Sequence, residues 1–312
     1  MEYRNLGRSG LLVSAVGLGC NNFGRRADLA TSTAVVHKAL EHGVNFFDTA
    51  DVYGPEGVSE EYLGRALAKR RDDVLIATKL GAPMGDETFK RGASRRYIMS
   101  AVEASLTRLG TGHIDLYQVH LPDPATPIEE TMRALDELVR QGKVRYIGHS
   151  NFAAWQVVEC HYIAQMQHLH RFVSAQNQYS LLKREVETEL LPACTAYGVG
   201  VLPYFPLASG FLTGKYQRDA PLPEGARLTN NQSAREQIMT PQNWNVLERL
   251  SDFARRREHT LAELSIAWLL SRPVVGSVIA GATKPEQIEA NVKAAVWRLT
   301  REEVAEVDTL CS

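Results

Sequence analysis

The chain has 312 residues, of which 44% are hydrophobic and 23% charged, and its formal net charge at pH 7 is −1. This composition is typical of a water-soluble globular protein with a large buried core, and the balanced charge argues against nucleic-acid and membrane partners. Its four cysteines lie far apart with no metal-ligand spacing, and the N-terminus is polar, so we expect a cytoplasmic protein with no zinc site, disulfide framework or signal peptide.

Short apolar runs rich in β-branched and aromatic residues alternate along the chain with amphipathic helical segments. The first segment, EYRNLGRSGLLVS, has a turn at Ser9–Gly10 and is typical of a β-hairpin. The predicted strands are 12–19, 44–48, 73–79, 114–120, 144–150, 172–180, 198–207 and 276–282. Eight strands that alternate with helices predict an α/β fold of parallel units, and the count of eight favours a closed (β/α)₈ TIM barrel over an open sheet.

Two of the intervening helices have recognisable termini. In SRRYIMSAVEASLTRLG, Ser94 is the predicted N-cap and Gly110 the predicted stop. In TPIEETMRALDELVRQGK, Thr126 and Glu129 form a predicted capping box, with Pro127 at the first helical position.

The second half of the chain holds a long stretch without clear periodicity, at 209–242. A loop of this length in a compact domain is usually functional or disordered. Helical segments are predicted at 243–257 and 260–271, and TREEVAEVDTL forms a predicted final C-terminal helix. Because no linker, repeat or low-complexity tract interrupts the pattern, we expect one domain over residues 1–312.

Titratable side chains end three consecutive predicted strands. Asp48 ends the second strand, Lys79 the third and His120 the fourth, and Tyr53 lies in the loop after the second. Active sites of such barrels form at the C-terminal ends of the strands, which are about 4.8 Å apart. For each residue alone, a polar strand end in contact with water is the simpler interpretation, but an acid, a base, an imidazole and a phenol together favour a site.

These four side chains suit one kind of chemistry. A phenol has an ordinary pKa near 10, and a nearby lysine lowers it, so the phenol can deliver a proton. A carboxylate keeps the lysine charged, and an imidazole can orient a carbonyl oxygen. The set can protonate a developing alkoxide but contains no evident nucleophile, so hydride from a nicotinamide is the natural source of electrons.

Motifs over nearly the whole chain resemble the aldo-keto reductase family, in its bacterial and potassium-channel-β-like branch. They include NFFDTADVYG, IDLYQVHLPDPATPIEET, GKVRYIGHSNF, PYFPLASGFLTGKY and IAGATKPEQIEANV. The resemblance implies NADPH-dependent reduction of an aldehyde or ketone. It implies that Tyr53 is the general acid, that Lys79 lowers the pKa of Tyr53 and pairs with Asp48, and that His120 orients the carbonyl.

The segment after the last strand, GATKPEQIEAN, is a candidate phosphate site. It is predicted to begin a helix capped by Thr283 and Glu286, and helix N-termini after the last barrel strands often bind phosphate. The resemblance places the adenosine 2′-phosphate of NADP here. The implied contacts are Gly281, Thr283, Lys284, Gln287 and Asn291. A solvent lysine at a helix start is the competing interpretation of Lys284.

The resemblance also implies contacts to the rest of the cofactor. It assigns Ser150, Asn151 and Gln176 to the nicotinamide carboxamide and Tyr204 to stacking on the ring. It assigns PLASGFLTGK to the pyrophosphate. The implied residues in that segment are Pro206, Leu207, Gly210 and Lys215.

The pattern departs from the family at three positions and leaves other functions open. Leu121 replaces a tryptophan, Phe205 a serine, and Ala290 a glutamate that often contacts adenine. Candidate substrate-pocket residues are Asn21, Asn22, Phe23, Val52, Phe89 and Leu121. The mixture fits a small or medium aldehyde or ketone. The alternatives are a nicotinamide-binding subunit or redox sensor with little turnover, and a metal-dependent barrel hydrolase or isomerase.

Overall fold

A closed barrel of eight parallel strands forms the centre of the computed structural model, which describes residues 1–311. The strands are β1 (Tyr3–Asn5), β2 (Leu12–Ser14), β3 (Val16–Gly19), β4 (Phe46–Asp48), β5 (Leu75–Leu80), β6 (Ile114–Val119), β7 (Val144–Ser150), β8 (Phe172–Gln178), β9 (Gly200–Tyr204) and β10 (Val278–Gly281). β3 to β10 follow one another around the ring, and β10 closes it by pairing with both β9 and β3. The predicted (β/α)₈ barrel is confirmed.

Helices surround the barrel and extend beyond it at the C-terminus. They are α1 (Leu29–Glu41), α2 (Val58–Leu67), α3 (Arg95–Leu109), α4 (Ile128–Arg140), α5 (Ala154–Gln167), α6 (Leu190–Tyr197), α7 (Gln232–Ile238), α8 (Pro241–Arg255), α9 (Leu261–Leu270), α10 (Pro285–Ala294) and α11 (Arg301–Leu310). Between residues 1 and 311, none of them is long and apolar enough to cross a membrane.

The predicted N-terminal hairpin is confirmed as the antiparallel pair β1–β2. The prediction of one strand over 12–19 is wrong, because the chain leaves the hairpin at Ser14 and enters the barrel at Val16. The Ser14 N–H donates to Asn45 Oδ1 at 2.7 Å, which holds the chain at this junction. Leu6 and Val13 pack with apolar side chains of the barrel interior, so the hairpin closes the N-terminal end of the barrel.

The termini of α3 are as predicted. Ser94 Oγ accepts the N–H of Tyr97, and Gly110 takes the left-handed conformation, with φ of 63°, that ends the helix. The capping box predicted for α4 is wrong. Pro127 precedes the first helical residue, and the Thr126 hydroxyl donates to Asp123 Oδ2 at 2.7 Å instead of capping the helix with Glu129.

The long stretch 209–242 is partly ordered into regular structure. A short 3₁₀ segment, Ala208–Thr213, follows β9, and α7 lies near the end of the stretch. The two helices predicted after it are confirmed as α8 and α9, and the predicted final helix is confirmed as α11.

A histidine without a polar partner lies in the layer between the barrel and the helices. His149 is fully buried, stacked on Phe152 with 4.7 Å between ring centroids and in edge contact with Phe172. Within residues 1–311 neither ring nitrogen has a hydrogen-bond partner. Burial lowers the pKa of His149 to about 3, so the folded protein keeps this ring neutral.

We expect His149→Leu to reduce the loss of stability in mild acid. The unfolded chain gains a proton on His149 below its ordinary pKa of about 6.5, whereas the folded chain does not, so stability falls as pH falls. Between pH 7 and pH 5, this proton uptake lowers the unfolding free energy of the wild type by about 2 kcal/mol more than that of the variant. Urea unfolding at both pH values measures it. If the unfolding free energy falls by the same amount in the wild type and in the variant, His149 is not kept neutral by the fold.

Candidate active site

A buried ion pair lies at the C-terminal end of the barrel. Lys79 Nζ donates to Asp48 Oδ2 at 2.7 Å, and both side chains are almost completely excluded from solvent. Lys79 also donates to the Thr49 carbonyl at 2.8 Å and to Tyr53 Oη at 3.3 Å. Burial acts to lower the pKa of Lys79, but Asp48 and Tyr53 outweigh it and the pKa is raised. Lys79 is therefore charged at neutral pH.

Two amides orient the second oxygen of the Asp48 carboxylate. Asp48 Oδ1 accepts Gln176 Nε2 at 2.8 Å and Gln118 Nε2 at 3.4 Å. With the lysine on Oδ2, both oxygens are occupied, as a buried carboxylate requires. The family resemblance implies a cofactor contact for Gln176, and no sequence pattern indicates Gln118. In the structure both amides fix the direction of the carboxylate.

Tyr53 and His120 complete the group that the sequence predicted. Their rings meet edge to face, with 5.7 Å between centroids. Burial raises the pKa of Tyr53 while Lys79 acts to lower it, so the predicted effect of Lys79 is present but smaller than that of burial. Burial, together with the charge on Lys79, lowers the pKa of His120 to about 3. At neutral pH the phenol therefore carries its proton and the imidazole is uncharged.

A second hydrogen-bonded group lies beside the first, at the ends of β7, β8 and β9. Asn151 Nδ2 donates to the His120 carbonyl and to Ser150 Oγ, each at 3.0 Å, and Asn151 Oδ1 accepts from Tyr204 Oη at 2.8 Å. Ser150 Oγ donates to the Gln176 carbonyl at 2.8 Å. The four residues predicted to hold a nicotinamide are thus connected to one another and to His120.

Both groups border one cavity of about 580 Å³ at the open end of the barrel. The predicted site residues in its wall are Asp48, Tyr53, His120, Ser150, Asn151, Gln176, Tyr204, Pro206, Leu207, Gly210, Lys215, Gly281, Thr283, Gln287 and Asn291. Asn21, Asn22, Phe205 and Ala290 also line it. Lys79 is outside the wall, bonded to Asp48 and Tyr53.

Two arginines in the cavity wall were not predicted from the sequence. Arg26 follows β3, and Arg227 lies in the long stretch after β9. Burial and the charge on Arg26 lower the pKa of both Lys215 and Arg227, so the three cations share one region of the cavity. The Arg227 guanidinium lies over the Phe205 ring, 4.6 Å from its centroid. Such a region suits an anionic group.

The segment between β9 and this basic region has an unusual backbone. Phe205, Ala208 and Ser209 have φ of 52°, 44° and 57°, values that few residues other than glycine adopt, and Gly210 has φ of 91°. The consecutive left-handed residues turn the chain along the cavity wall, which contains Phe205, Ser209 and Gly210.

The helix start after β10 differs from the prediction. Gln287 Oε1 accepts the N–H of Thr283 at 2.7 Å and its hydroxyl at 3.3 Å, so the predicted cap by Thr283 and Glu286 is wrong. The amide side chain of Gln287, one residue after Glu286, reaches back to the Thr283 N–H. The N-cap residue is Lys284, whose side chain is exposed and lies outside the cavity wall.

Comparison with known proteins identifies the family. The model of the aldo/keto reductase family matches residues 15–311. The probable voltage-gated potassium channel subunit beta of Arabidopsis thaliana is 39% identical over 94% of this chain and 91% of its own length. The uncharacterized oxidoreductase YrpG of Bacillus subtilis is 37% identical over 97% and 93%. The L-glyceraldehyde 3-phosphate reductase of Escherichia coli K12 is 35% identical over 94% and 87%. The chain belongs to the aldo/keto reductase family.

As an aldo/keto reductase, the protein is an oxidoreductase, and the resemblance stated from its motifs is confirmed. The four side chains that the sequence analysis selected for catalysis lie together in the structure. The sequence signal for Arg26 and Arg227 is their positive charge in loops that follow predicted strands. Among residues 1–311, no group of three or more His, Cys, Asp or Glu is placed to hold a metal ion.

Proposed function

We propose that this protein reduces an aldehyde or ketone to the alcohol with NADPH, and that Tyr53 donates the proton. The observation that carries the proposal is the position of Tyr53 Oη, 3.3 Å from the buried Lys79 ammonium and in the wall of the cavity. A protonated phenol next to a fixed cation can release its proton to an oxygen that becomes negative, because the phenolate that remains is stabilised by the lysine.

The other polar groups prepare this proton transfer. Asp48 keeps Lys79 charged and directed at Tyr53, and the amides on Asp48 keep the carboxylate from rotating. His120 is neutral and its ring lies in the cavity wall, where it can hydrogen-bond a substrate carbonyl oxygen. Together Tyr53 and His120 hold the oxygen where negative charge develops.

The residues of the cavity fit a nicotinamide dinucleotide. Ser150, Asn151 and Gln176 provide amide and hydroxyl groups beside the proposed catalytic residues, and Lys215 and Arg227 provide positive charge farther along the wall. These two chemistries match a carboxamide and phosphates respectively. When bound, NADPH supplies the hydride for the carbonyl carbon.

Substitution of the basic region tests the cofactor assignment. We expect Arg227→Gln to weaken binding of NADPH about tenfold or more, because a charge-assisted bond to phosphate is lost. Lys183→Gln, at an exposed lysine outside the cavity wall, is the control, and we expect a change of less than about twofold. Fluorescence titration with NADPH and NADH measures both. If Lys284→Ala weakens NADPH much more than Arg227→Gln, the 2′-phosphate lies at α10 as the family resemblance implies.

A screen of aldehydes and ketones tests the function itself. A reductase consumes NADPH only in the presence of a suitable carbonyl compound, and the corresponding alcohol accumulates. Absence of carbonyl-dependent consumption across aliphatic, aromatic and phosphorylated aldehydes and ketones would contradict the proposal.

The potassium channel subunit among the relatives favours one alternative. The alternative is a subunit that binds a nicotinamide cofactor with little turnover, and the residues of the same cavity fit that role. The two functions differ in the number of NADPH molecules that one protein molecule oxidises: a reductase oxidises many, whereas a binding subunit oxidises about one and retains the product.

A further inference from the structure

The loop that carries Tyr53 is held by a buried aspartate two residues earlier. Asp51 is fully excluded from solvent. Its backbone N–H donates to the Lys79 carbonyl at 3.2 Å, and its Oδ2 accepts from Tyr97 Oη of α3 at 3.2 Å. Asp51 therefore ties the Tyr53 loop both to the strand of Lys79 and to a surrounding helix.

A second buried carboxylate lies close to Asp51. Glu60 of α2 accepts Thr78 Oγ1 at 2.5 Å and Arg108 Nε at 2.6 Å. Arg108 of α3 also lies against the loop, since a Cβ added to Gly57 would be 2.6 Å from its Nε. The Arg108 guanidinium thus bonds to Glu60, and its charge also acts on Asp51.

The charges in this cluster are therefore unbalanced when both carboxyls ionise. The groups that face Asp51 are Glu60, Arg108 and Tyr97, and Tyr117 of β6 lies close enough for its own pKa to be affected by Asp51. Burial, and then Glu60, raise the pKa of Asp51 to about 7, although Tyr97 and Arg108 act in the opposite direction. Asp51 Oδ1 is buried without a hydrogen-bond partner in the described part of the chain, so no donor stabilises negative charge on that oxygen.

We propose that Asp51 is a positioning residue for Tyr53: its neutral form seats the loop against α3 and β5, and its ionised form, repelled by Glu60, loosens the loop. The inference rests on the proposed role of Tyr53 as proton donor. It adds a pH-dependent control of that role, which comes from outside the catalytic group itself.

The pH dependence of kcat and of amide exchange in the loop tests this proposal. In the wild type, we expect kcat to fall about threefold or more as the pH rises from 6 to 8, because misplacement of a catalytic group is costly. Over the same range, hydrogen exchange of the amides at Asp51 and Ser59, corrected for the intrinsic effect of pH, becomes faster. The Asp51 amide bonds to Lys79, and the Ser59 amide bonds to the Tyr53 carbonyl at 3.1 Å.

Two variants separate the charge of Asp51 from its hydrogen bond. Asp51→Asn cannot ionise, so we expect the decrease in kcat and the increase in exchange between pH 6 and 8 to be absent. Tyr97→Phe removes a bond that lowers the pKa of Asp51, so both changes move to higher pH. Tyr179→Phe is the control: it removes another buried tyrosine hydroxyl, bonded to Glu187 at 2.6 Å, and leaves both profiles unchanged.

Each outcome discriminates. If the wild type and Asp51→Asn have the same kcat profile and the same exchange profile, the proposal is wrong. If Asp51→Asn does not fold, Tyr97→Phe decides. The proposal is wrong if kcat and exchange change at the same pH in Tyr97→Phe as in the wild type, and it is supported if both changes occur at higher pH. If no variant turns over but the exchange profiles differ as expected, the positioning inference holds for the loop and the proposed reductase function fails.

Discussion

Tyr53→Phe lowers kcat by about 10²–10⁴-fold, the contribution of a positioned general acid, if Tyr53 is the proton donor. The phenylalanine ring fills the same space and keeps the edge contact with His120, so only the proton and its bond to Lys79 are lost. Because Tyr53 carries no charge in the ground state, we expect the affinity for NADPH to change by less than about twofold.

Steady-state kinetics with a carbonyl substrate measures kcat, and fluorescence titration with NADPH measures the affinity separately. Tyr179→Phe, which loses a buried hydroxyl away from the cavity, controls for a general loss of stability. Near-normal kcat in Tyr53→Phe would falsify the mechanism. A parallel loss of NADPH affinity would instead assign Tyr53 to cofactor binding.

Lys79→Met has the second large effect, because it alters both stability and chemistry. The variant leaves the Asp48 carboxylate buried without its cation, which costs about 3–5 kcal/mol of unfolding free energy. It also removes the charge that stabilises the phenolate, so we expect kcat to fall at least as far as in Tyr53→Phe.

The double variant Asp48→Asn/Lys79→Met separates these two effects. Neutralising the carboxylate restores a large part of the lost stability, because no unpaired charge remains, but it does not restore kcat. Urea unfolding of the two single variants and the double variant gives the coupling free energy. Additive losses of stability would show that Asp48 and Lys79 do not act as an ion pair, contrary to the 2.7 Å contact.

The barrel and its proposed catalytic group could be predicted because both follow from local patterns. Asp48, Lys79 and His120 each stand at or next to the end of an apolar run, and a closed parallel barrel brings all strand ends to one rim. The predicted capping box of α4 and the predicted cap of α10 failed because another side chain nearby in the sequence bonds to the threonine. Thr126 bonds to the Asp123 carboxylate, and Thr283 to the amide of Gln287, and each of these partners outcompetes the predicted one.

Other parts of the site depend on contacts across the barrel that no spacing indicates. Arg26 and Arg227 are 201 positions apart in the sequence. Their loops meet in the folded chain, where Arg26 Nη2 donates to the Gly225 carbonyl at 2.7 Å. Asp51 looks in the sequence like a polar loop residue. The structure buries it because α3 packs over the loop and Tyr97 reaches its carboxylate.

The fate of the hydride is the most direct test of the account. NADPH deuterated at the transferring position of C4 is incubated with the protein and an aldehyde, and the alcohol is analysed by mass spectrometry. We expect one deuterium at the former carbonyl carbon and many equivalents of alcohol per protein molecule. An alcohol without deuterium, or no more than one equivalent of product, would contradict it.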